Sequence, residues 1–123
     1  MTAPEQLAVW RGEILEELDE AHTKLAAAEV DLAAAEAAYR DIHAQHEAVC
    51  ELISRLQQPV AIPIAQRQRF LDQERRTVET VLGSARGQVD ATRVVIAEHE
   101  DALQQLDRLL TPAQAEVVEV ADA

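Results

Sequence analysis

Large side chains are scarce in this chain. One Trp, one Tyr and one Phe stand among 123 residues, so aromatic rings cannot fill a globular core of ordinary thickness. Three glycines and four prolines leave too little turn chemistry for a sheet. The single cysteine, Cys50, excludes an internal disulfide. It fits a reducing compartment, either the cytoplasm or a virion assembled there. No apolar run approaches the ~20 residues of a membrane span. The opening Met1–Gln6 has neither the basic stretch nor the apolar block of a secretory leader. Positive charge is also short: one Lys and ten Arg face 23 acidic residues, a net charge of −12. That balance argues against binding nucleic acid directly or lying on an anionic membrane.

What the chain does have is rhythm. From Leu7 to Leu56 apolar residues recur in a 4-3 pattern, with Leu18, Leu25, Leu32, Tyr39 and Ile53 on one line. Leu7, Ile14, Ala21, Ala28, Ala35, Ile42, Val49 and Leu56 form the other. A mean spacing of 3.5 holds one helical stripe against a partner over many turns. After two prolines a second run begins, with Leu71, Val78, Ala85, Thr92, His99 and Leu106 beside Leu82, Val89, Ile96, Leu103 and Leu110.

The fold class expected is therefore all-α: a long antiparallel two-helix coiled-coil hairpin with a short C-terminal helix or tail. Thr2 and Glu5 have capping-box spacing, and Pro4 is tolerated in a first turn. The first helix is expected over residues 3–58, the turn over 59–63 and the second helix over 64–110, which makes residues 1–110 the hairpin. Pro59 pushes Gln58 out of helical geometry, and Pro63 opens the next helix. The tail, 111–123, starts with Thr111-Pro112-Ala113-Gln114, a second capping-box spacing, so a short helix bent away at Pro112 is expected. Its Glu116–Val120 run would also suit a strand added to a partner's sheet.

Two registers satisfy the stripes. Facing residue numbers add to about 124 or to about 117. Small-on-large packing favours 124, which sets Ala35 against Val89, Ala28 against Ile96, Ala21 against Leu103 and Tyr39 against Ala85. Gly83 and Gly87 inside the second helix predict either a local kink or close approach by another helix.

Chemistry is sparse. His43, His46 and Cys50 fall on one side of the first helix at three- and four-residue spacing, the pattern of converging metal ligands. They are weak candidates, because no second Cys or His lies nearby to close a site. His46 also occupies a seam position, where a polar residue commonly sets register. No cofactor is expected. Ser54 and Ser84 lack a His and a carboxylate at workable spacing, so the chain reads as no enzyme.

Two surfaces remain as interaction candidates. Arg67, Arg69, Arg75 and Arg76 gather near the hairpin tip, while Glu13, Glu16, Glu17, Asp19 and Glu20 crowd the start of the first helix. Val81, Val95, Ala102 and Leu109 flank the second helix's seam and widen its apolar face. The function expected is a non-enzymatic structural or assembly coiled coil, an accessory component of a multi-copy assembly such as a phage particle. Its partner would be itself or a larger structural protein. The alternatives are an acidic inhibitor mimicking nucleic acid and a small helical chaperone.

Overall fold

The computed structural model describes the backbone of residues 1–122 and the side chains of residues 1–111. Two helices account for it: α1, Ala3–Ser54, and α2, Ile62–Asp122. They pack against each other as an antiparallel hairpin. No strand occurs among the described residues. The chain divides into two compact units, one formed by Met1–Ala26 with Asp90–Ala123 and one by Ala27–Val89.

The start of α1 is the capping box read from its residues. Thr2 N donates to Glu5 Oε2 at 3.3 Å, and Glu5 N donates to Thr2 Oγ1 at 3.2 Å. Each side chain satisfies an amide that a helix start leaves without a partner. The end of α1 comes four residues before Gln58. There Arg55 N and Leu56 N bond back to the carbonyls of Leu52 and Ile53 at 3.2 and 3.1 Å, a tightened last turn. Leu56 is exposed and no longer holds the seam. α2 opens earlier than expected, with the Ala61 carbonyl accepting from Ile64 N and Ala65 N at 3.0 Å. Pro63 sits in that first turn, where a missing N–H costs nothing.

These ends decide the register. In the first unit Arg11 meets Asp107 and Glu17 meets His99; in the second His46 meets Asp72 and Cys50 meets Gln68. All four pairs have numbers adding to 116–118, so the favoured register of 124 is corrected to 117. The size argument survives the shift, because the seam repeats by heptads. Ala35 now lies level with Leu82 and Ala28 with Val89 in the second unit, and Ala21 with Ile96 in the first. All six are buried. Tyr39 lies beside the Arg75 guanidinium rather than opposite Ala85.

Burial otherwise follows the two stripes. Val89 is 1% exposed, worth ~1.5–3 kcal/mol relative to an exposed valine. Thr92 is the one buried polar residue among those described. α2 runs unbroken through Gly83 and Gly87, and a Cβ at either would meet nothing within 4 Å. α1 does not approach either glycine. α2 also continues through Pro112, so the bent third helix expected there is part of α2. The side chains of the 111–123 tail beyond Thr111 lie outside the described residues.

Candidate functional site

The second unit carries the arginine cluster. Arg75 and Arg76 share one carboxylate: Asp72 is 3.0 Å from Arg75 Nη2 and 3.1 Å from Arg76 Nε. The Arg75 hydrogen bond holds the Asp72 carboxyl below its usual range, with the charges of Arg76, Arg75 and His46 adding to it against partial desolvation. The same bond raises Arg75. Arg55 pairs with Glu51 at 2.7 Å, and Arg67 donates to the Pro63 carbonyl at 3.0 Å. Arg69 alone in this cluster has neither an ion pair nor a side-chain hydrogen bond among the described residues. Residues 51–76 hold five Arg against Glu51, Asp72 and Glu74, a surplus of two positive charges. Apolar groups stand out beside them: Phe70 is 62% exposed, and Ile62, Ile64 and Leu52 are exposed as well.

Of the metal candidates, His46 and Cys50 meet while His43 stands apart. His46 Nε2 lies 3.5 Å from Asp72 Oδ1 and 3.7 Å from Cys50 Sγ, and Gln68 Nε2 donates to that sulfur at 3.3 Å. His43 stacks on Tyr39 with ring centroids 5.4 Å apart and binds Glu47 at 3.0 Å. Its Nδ1 is buried without a partner among the described groups. No set of three or more His, Cys, Asp or Glu side chains converges on a metal position among the described residues. His46 is on the seam and His43 beside it, so the spacing that placed them on one side of α1 does not bring them to one point.

The apolar flank is divided between the units. Val81, exposed, borders an open groove of about 640 Å3 in the second unit, whose floor is Ala28, Ala34, Ala35, Ala38 and Ala85. Val95, Ala102 and Leu109 follow one line on α2 in the first unit, at seven-residue spacing. There Ala102 and Leu109 line an open groove of about 280 Å3 together with Trp10, Ile14, Glu13 and Glu17. Leu109 is 56% and Trp10 48% exposed. Below them His99 offers both ring nitrogens to acceptors, Nδ1 to the Val95 carbonyl at 2.7 Å and Nε2 to Glu17 Oε2 at 2.9 Å. Both bonds favour the imidazolium, the backbone one more, and raise His99 above its ordinary value.

The part of this groove that sequence reasoning missed is Trp10. Its signal was present, since Trp10 stands one position before the seam residue Arg11 and seven before Glu17. It went unread because its neighbours across the groove depend on the register. No protein-family model, curated protein or solved structure matches the chain.

Proposed function

We propose that this chain is a non-enzymatic structural part of a larger assembly, used in several copies or clamped to a bigger structural protein. The observation carrying this reading is that large apolar side chains are left exposed beside the seam in each unit, Trp10, Val95 and Leu109 in the first and Val81 in the second. A seam built on alanine is thin, and flanking apolar groups of this size gain stability only against another surface. An accessory component of a phage particle or comparable multi-copy body is the concrete form of the proposal. The acidic decoy is the poorer reading, because a nucleic-acid mimic needs free carboxylates in rows. Here Asp72, Asp107 and Glu17 are bonded to cationic or imidazole partners within the chain.

Sedimentation velocity of the purified chain, together with size fractionation of extract from its source, tests the proposal. A species heavier than one chain is expected in at least one of the two. A single-chain mass in both would refute it.

A further inference from the structure

The exposed arginines and apolar side chains at the start of α2 complement the groove beside Trp10. We infer that the groove of one copy receives the Ile62–Arg76 face of a second copy, with Phe70 entering between Trp10 and Leu109. This rests on the assembly reading above and names its contact.

Four observations lead there. The groove has an apolar wall of Trp10, Ala102 and Leu109 and a rim of Glu13 and Glu17. Glu20 and Glu98 fall on the same flanks by helical spacing, against the single cation Lys24. The complementary surface bears Phe70, the most exposed aromatic ring of the described residues, and its chain neighbour Arg69, which has neither an ion pair nor a side-chain hydrogen bond among them. Two turns earlier on α2, Ile62 is 73% exposed. An aromatic ring set against Trp10, with a guanidinium reaching Glu13 on the rim, satisfies both surfaces.

Charge also decides between the two ways copies can meet. Groove against groove, as in a two-fold dimer, would oppose Glu13 and Glu17 to themselves. Tip into groove opposes unlike charges. The contact is thus heterologous: one copy keeps its tip free and the other its groove, and growth continues from both ends.

Two exposed positions test it, Leu109→Glu in the groove and Phe70→Glu at the tip. Circular dichroism should show both variants helical, with melting close to wild type. Wild type should gain mass with concentration in sedimentation, and either variant alone should run as a single chain. An equimolar mixture should form a two-chain species and stop there, because one intact tip and one intact groove remain. Trp10, the only tryptophan, should shift its emission to the blue in that mixture. Raising salt from ~0.05 to ~0.5 M should weaken the mixture about fivefold or more, since screening shortens to a few ångströms.

A mixture that stays single-chain overturns the inference, as does a single variant that still assembles or a mixture that grows past two chains. A wild type that remains single-chain overturns it too. If an extract species is nevertheless heavier than one chain, only the tip-to-groove contact falls and the assembly reading stands. If no such species appears, both fall.

Discussion

His99 shows what one side chain can report at this seam. Its imidazolium is held by the Val95 carbonyl and by Glu17, with Glu98 adding charge nearby. The group's value in the folded chain lies above its ordinary 6.5. Its contribution to stability is therefore fully present below about pH 6.5 and is lost as pH rises through the folded value. Melting temperatures of wild type and His99→Gln should accordingly differ most near pH 5 and converge as the pH rises above the folded value. A difference that does not change with pH would mean that neither the Val95 carbonyl nor Glu17 holds the imidazolium in solution. At this scale local pairs were legible and distant ones were not. Thr2 and Glu5 announce their capping box within four residues. Arg11 with Asp107 and Glu17 with His99 are separated by most of the chain, and only a correct register brings them into view.

Among the elements, α2 is the less settled of the two. Gly83 and Gly87 lie in its interior with open space where a side chain would begin. Neither has positive φ, so neither glycine is needed for backbone geometry. Gly83→Ala and Gly87→Ala should each stabilise the folded chain by up to ~1 kcal/mol, chiefly by reducing the freedom of the unfolded backbone. Urea unfolding of the double variant measures it. An unchanged or lower midpoint would show that α2 is bent or contacted there in solution. The helices themselves were legible, because a 4-3 rhythm sustained over fifty residues has no other solution. Their ends were less so. Pro59 sets a limit that α1 does not reach, and Pro63 was read as an opening residue although Ile62 already belongs to α2. Pro112 was read as the start of a separate third helix, whereas α2 continues through it.

For the whole molecule, even repetition leaves packing alone unable to say where the two helices should meet. Ala21, Ala28 and Ala35 recur every seven residues, and so do Leu82, Val89 and Ile96. This is why size complementarity could not separate the two registers. In a Cys50→Ser background, Ala28→Cys with Val89→Cys should form a disulfide within one chain under mild oxidation. Ala35→Cys with Val89→Cys, the other register, should not. The reverse result, read by mobility on a non-reducing gel, would reinstate 124. What selects 117 is the pair of helix ends around residues 55–61, reinforced by the polar contacts of Arg11, Glu17 and His46. Interior and exterior therefore answer to different rules. Adding one heptad to α1 near the turn would keep every layer apolar yet give each residue a new neighbour across the seam. Length variation in such a chain becomes a way of rewiring its outer surface while its inside stays the same.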